Sequence, residues 1–175
     1  MEAVMKSEQV MMRPHDIVIL LKVISYGNEP WLQAPMAKDL SISQSELSKS
    51  IARSKNAGLL DETGRKVRRL SLMEFLESGI AYVFPQRPGA IVRGLATAHS
   101  ASPLKELIKS DENFVWPSAK GKMKGQAIIP LYKSVPDAAS KDSLLHEMLA
   151  LVDAIRVGRA REKKLAISEL KKRVL

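Results

Sequence analysis

Cysteine is absent from this chain of 175 residues. Its absence excludes disulfides, thiolate metal sites and cysteine nucleophiles together, and fits a reducing compartment. Aromatic residues amount to 5%, so aliphatic side chains and eight methionines must fill the core. No stretch reaches the roughly 18 consecutive apolar residues of a membrane span. The opening, MEAVMKSEQVMMRPHD, lacks the basic-then-apolar layout of a secretory signal. A soluble, cytoplasmic protein with no membrane partner is the expectation.

What is present is apolar and basic. Hydrophobic residues make up 45% of the chain, enough for a packed core. The net charge is +9 and the pI about 9.8, which suits a polyanionic partner. Residues 1–79 carry only +1 of that charge and residues 80–175 carry +8. Within the first half, residues 43–69 hold +4.

Residues 1–12 read as an N-terminal arm. Pro14 suits the first turn of a helix, and Ile17, Leu20, Leu21 and Ile24 follow at helical spacing. Gly27, Asn28 and Pro30 end it. A second helix is expected over Gln33 to Leu40 and a third over Ser43 to Ala57. Leu59 and Leu60 then begin an extended stretch, with a tight turn at Gly64 and a basic return strand. Ser71 reads as an N-cap with Glu74 three residues on. Residues 89–103 are expected to be extended or looped, residues 104–110 a short helix, and residues 114–132 two strands around a glycine- and lysine-rich tip. From Asp142 a long amphipathic helix runs through Leu145, Met148, Leu149, Val152 and Ile155. Its pattern continues past Gly158 at a cost of about 1 kcal/mol relative to alanine there.

The segment MAKDLSISQSELSKSIARSKNAGLL, Met36 to Leu60, carries the most information. Ala37 is a small residue where two helices can touch. Leu40 and Ile42 bracket a short turn. Leu47 and Ile51, four apart, form an inward face. Ser43 can cap the following helix, and Glu46 completes a second capping-box pattern. The outward face is then Gln44, Ser45, Ser48, Lys49 and Arg53, side chains of the kind that read base edges or hold phosphates.

With its ungapped Met36–Ala37, Ile42–Ser43, Leu47–Ser48–Lys49, Ile51 and Ala57–Gly58–Leu59–Leu60, the segment resembles the winged helix-turn-helix of bacterial MarR-type transcriptional regulators. The likeness covers about 25 residues and extends loosely to the basic GRKVRR. Two positions depart from the pattern: Ser41 stands where glycine is common, and Ser54 where leucine is expected. The resemblance implies sequence-specific binding to double-stranded DNA and transcriptional repression by a homodimer. Gln44, Ser45, Ser48 and Lys49 would contact bases; Arg53, Arg65, Lys66, Arg68 and Arg69 would contact phosphates.

Other chemistry finds weaker support. His15, His99 and His146 fall in separate segments without metal-ligand spacing. Thr97, His99, Ser100 and Ser102 beside Arg93 lack any nucleophile signature and read better as a polar packing loop; a deep pocket around Arg93 and His99 would instead point to an enzyme or small-molecule sensor. KGKMKG, with Lys120, Lys122 and Lys124, is either a second basic contact or a solvated tip. Arg156, Arg159 and Arg161 head a C-terminal run of +6 over residues 156–175, read either as a backbone-contacting flank or as cations favoured at a helix C-terminus.

The expected class is mainly α with small β elements: a winged helix-turn-helix domain over residues 13–79, and an α+β region over residues 80–175 ending in a long helix. No enzyme activity, cofactor or metal is expected. The rival function is an antitoxin-like or other protein-interaction module, whose basic C-terminal half grips an acidic partner protein encoded nearby.

Overall fold

A computed structural model describes residues 10–175, so most of the expected N-terminal arm lies outside the described residues. The helices are α1 (Pro14–Ser25), α2 (Gln33–Leu40), α3 (Gln44–Asn56), α4 (Arg69–Ser78), α5 (Ile80–Val83), α6 (Leu104–Leu107), α7 (Val135–Lys141), α8 (Ser143–Val157) and α9 (Ala160–Val174). Three strands, β1 (Ile91–Ala96), β2 (Phe114–Pro117) and β3 (Met123–Ala127), lie between α5 and α7. The class is the one expected, mainly helical with a small sheet.

Helix α1 begins with proline, whose missing N–H costs nothing there, and Asp16 accepts the Arg13 backbone N–H at 2.8 Å. Its residues His15 to Ile24 are all buried, as befits a helix that is apolar on most sides. Helix α1 packs against α3 on one side and α8 on another.

Helix α2 ends at Ser41, which adopts a left-handed backbone with φ 53°. That conformation is the reason glycine is favoured at this position; the chain tolerates serine instead. The Ile42 N–H returns to the Ala37 carbonyl at 2.9 Å and closes the turn. Helix α3 is capped by Ser43, whose hydroxyl accepts the Glu46 N–H at 3.0 Å. The reciprocal half of the capping box is not made, because the Glu46 carboxylate turns to His15 and Arg53.

After α3 the chain forms a bridge between Leu60 and Val67, antiparallel, around a turn. Asp61 organises that turn: its carboxylate accepts from the Thr63 hydroxyl and from the Arg65 and Lys66 N–H groups. The return strand is shorter than expected, since α4 begins at Arg69. Ser71 consequently lies inside α4 and is not its cap; Arg68 occupies that position without a side-chain bond.

The strands around KGKMKG do not pair as a hairpin. Strand β1 runs antiparallel to both, meeting β2 through Leu95 and Trp116 and β3 through Val92 and Gly125. Strands β2 and β3 touch in parallel only at Phe114–Gln126 and Val115–Ala127, which closes the sheet on itself.

The expected long C-terminal helix is two helices. The chain is extended at Gly158 and Arg159 and then folds α9 back along α8. A β-carbon at Gly158 would stand 2.3 Å from the Ala154 carbonyl oxygen, so the sharp break needs glycine. The stripe Leu145, Met148, Leu149, Val152 and Ile155 is buried within the single chain. One apolar cluster runs from α1 and α3 through α4 to α8 and α9.

Candidate nucleic-acid interface

Helix α3 is held by one side. Leu47 is fully buried, as are Ser50 and Ser54. Ile51 is half-buried beside the 61–66 turn. The opposite side carries Gln44, Ser45, Ser48 and Lys49, all exposed. The Ser48 hydroxyl donates to Gln33 Oε1 at 3.0 Å, which brings the start of α2 to the same surface. Gln33 was not among the sequence candidates; its position at the first turn of α2 was the available signal.

Arg53 requires correction. It was expected to hold phosphate, yet it is 3% exposed and its guanidinium faces inward. It donates to both Asp16 oxygens, at 2.9 and 2.7 Å, and to Glu46 Oε1 at 3.0 Å. His15 completes the group, with Nε2 2.7 Å from Glu46 Oε1. Burial alone would raise the Glu46 carboxyl, but the bonds from His15 and Arg53 prevail and hold it below its usual range. The network fastens α3 to α1.

The basic residues after α3 differ among themselves. Lys66 is exposed, and Arg68 is half-exposed beside Glu62 at 3.7 Å, a surface pair of small worth. Arg65 is exposed but ordered: its guanidinium lies 4.8 Å from the centre of the Trp31 ring, and Nη1 donates to the Trp31 carbonyl at 3.0 Å. Arg69 lines a cleft with Arg65 and Lys66, but its guanidinium is engaged. Its Nη1 donates to the Val174 carbonyl at 2.8 Å, joining α4 to the end of α9. A cleft of about 690 Å³ opens between Trp31, the end of α1 and these cations.

In the C-terminal half, Lys120, Lys122 and Lys124 are exposed. Arg156 is a second correction to the expected basic patch. It is buried, donating to Asp153 at 2.9 Å and to the Phe84 carbonyl at 2.9 Å. Arg159 and Arg161 are exposed; Arg159 follows the C-cap of α8 and Arg161 lies in the first turn of α9, while Lys171, Lys172 and Arg173 occupy the last turn of α9. The macrodipole favours the cations at the end of α9 and not the one at its start.

The residues of RGLATAHSASP hold structure. Thr97 and the Trp116 indole donate to buried Asp153 at 2.8 and 2.6 Å. His99 Nε2 donates to the Glu112 carbonyl at 2.7 Å, and the Ser100 hydroxyl accepts the Phe114 N–H. Among the described residues no three His, Asp or Glu side chains gather as a metal site, and no helix is long and apolar enough to cross a membrane.

Comparison with known protein families, with curated proteins and with solved structures finds no match to this chain.

Proposed function

We propose that this chain binds double-stranded DNA by sequence and represses transcription in the cytoplasm as a homodimer, without enzymatic activity. In this reading α2 and α3 form a helix-turn-helix, and the 61–68 segment is a short wing. One observation carries the proposal: α3 is anchored through Leu47 and Arg53 while Gln44, Ser45, Ser48 and Lys49 stand bare at its N-terminal half. That half of a recognition helix is the part that meets base edges in the major groove. Its N–H groups and dipole also favour a phosphate nearby. Arg65, Lys66 and Arg68 flank it as phosphate contacts.

The test is a binding titration on the DNA upstream of the chain's own coding sequence, across a range of salt. Lys49→Ala with Arg68→Ala is expected to weaken binding and to reduce the salt slope by about 0.9, the share of the one phosphate contact that Arg68 makes. An unchanged slope removes these contacts from the proposal.

A protein partner is the second reading. It is favoured by Tyr82, Val83 and Ile129, which are 85%, 54% and 58% exposed. The Phe84 and Ile129 carbonyls both face the Arg156 guanidinium, which brings the two segments together. A stoichiometric partner on purification, with no DNA affinity at physiological salt, would favour this alternative.

A further inference from the structure

We infer that Arg93, Lys122 and Lys124 form a second surface for duplex phosphates, flanking the DNA held by α3; the inference rests on the DNA-binding reading above. In the antiparallel register of β1 and β3, Arg93 stands directly opposite Lys124. Both are exposed. Like charges directly opposite across a sheet destabilise it, and among the described residues no carboxylate pairs with them. Among the described residues Arg93, Lys122 and Lys124 form no ion pair; only Lys120 does, with Asp137 at 3.6 Å. An anion bound at this face would remove the repulsion.

The main chain beneath the cations is fixed by backbone hydrogen bonds. The loop between β2 and β3 crosses over β1, with the Ser118 N–H on the Arg93 carbonyl at 3.1 Å and the Gly121 N–H on the Ser118 carbonyl at 3.1 Å. Gly121 lies so close to Gly94 that a β-carbon there would be 2.1 Å from the Gly94 carbonyl carbon. Only glycine permits this crossing, after which Lys122 leads into β3 two residues before Lys124.

The chemistry of the face selects a duplex backbone. Single-stranded nucleic acids are held by exposed aromatics on which bases stack. The aromatics of β2, Phe114 and Trp116, are buried here. The face is also attached to the flank of the proposed reading head. Lys120 reaches Asp137 of α7, α7 packs on α2, and the Ser134 hydroxyl donates to the Leu40 carbonyl at the turn into α3.

The experiment measures anisotropy of the full chain with two duplexes. One is the shortest upstream fragment that the wild type binds; the other extends it by about one helical turn, about 10 bp, on each side. Arg93→Gln with Lys124→Gln is expected to lower affinity for the long duplex about tenfold and its salt slope by about 2, with affinity for the short duplex within twofold. The variant's Tm is expected to equal or exceed that of the wild type, because the opposed charges are gone. Arg93→Lys with Lys124→Arg should restore long-duplex binding. Unchanged affinity for the long duplex, or equal weakening on both duplexes, overturns the inference and leaves the α3 reading standing. A wild type that binds neither duplex overturns that reading, and this one with it. Loss of poly-glutamate binding with DNA binding intact overturns the inference in favour of an acidic protein.

Discussion

Arg53 shows how narrowly a side chain can be assigned from a helical pattern. At 3.6 residues per turn it lies about 40° from Lys49 around α3, so it shares an outward face with it on paper. Its destination was decided by Asp16, 37 positions earlier in the chain, which offers two oxygens inside the structure. The two residues therefore predict opposite phenotypes. Arg53→Ala strands Asp16 in the interior and is expected to cost about 3–5 kcal/mol of stability. Lys49→Ala, on the open face, is expected to stay within about 0.5 kcal/mol. Thermal or denaturant melts of the two variants check this; an Arg53→Ala protein as stable as the wild type, yet deficient in DNA binding, would return Arg53 to the phosphate list. Arg156 went astray for the same reason, since its partner Asp153 lies on its own helix but its burial comes from Phe84 and Ile129.

At the scale of elements, local chemistry was legible and pairing was not. The Ser43 cap, the Pro14 start and the tight turn near Gly64 all follow from short-range rules, and all are present. The turn carries its own prediction. Hydrogen bonds from the Lys66 N–H, the Thr63 hydroxyl and the Arg65 N–H lower the Asp61 pKa from 3.8 to about 2. A depressed carboxylate stabilises the folded turn fully above its ordinary pKa and loses that contribution as pH falls towards the folded value. The Arg65 and Lys66 amides are thus expected to keep their hydrogen-exchange protection at pH 5 and lose it between about pH 4 and pH 2. Protection unchanged across that window would show that Asp61 does not hold the turn. By contrast, nothing local marked that β2 and β3 both pair with β1, because the crossing depends on Gly94 and Gly121 meeting across 27 residues of chain. Gly158 was visible as a weak point, but its cost alone did not say that the chain turns there; contact between α8 and α9 did.

Across the whole molecule, the first 79 residues do not own their core. Helix α1 is buried against α8 as well as α3. Lys22 and Ser25 both bond Asp142, each at 2.8 Å, and Tyr132 packs on His15. A fragment of residues 1–79 would expose much of α1 to water, where each buried Leu or Ile side chain forfeits about 1.5–3 kcal/mol. It is expected to lack a cooperative melt and to bind hydrophobic dye, and the full chain is expected to melt cooperatively; a fragment with dispersed amide resonances and a sharp transition would show an independent unit. The amino-acid sequence by itself determined the helix-rich class and the α2–turn–α3 arrangement, because these rest on interactions between residues a few positions apart. Only the tertiary structure decided which cations are free and which are buried, how the three strands close, and where α8 ends, because each of those depends on a partner that the fold brings from far along the chain.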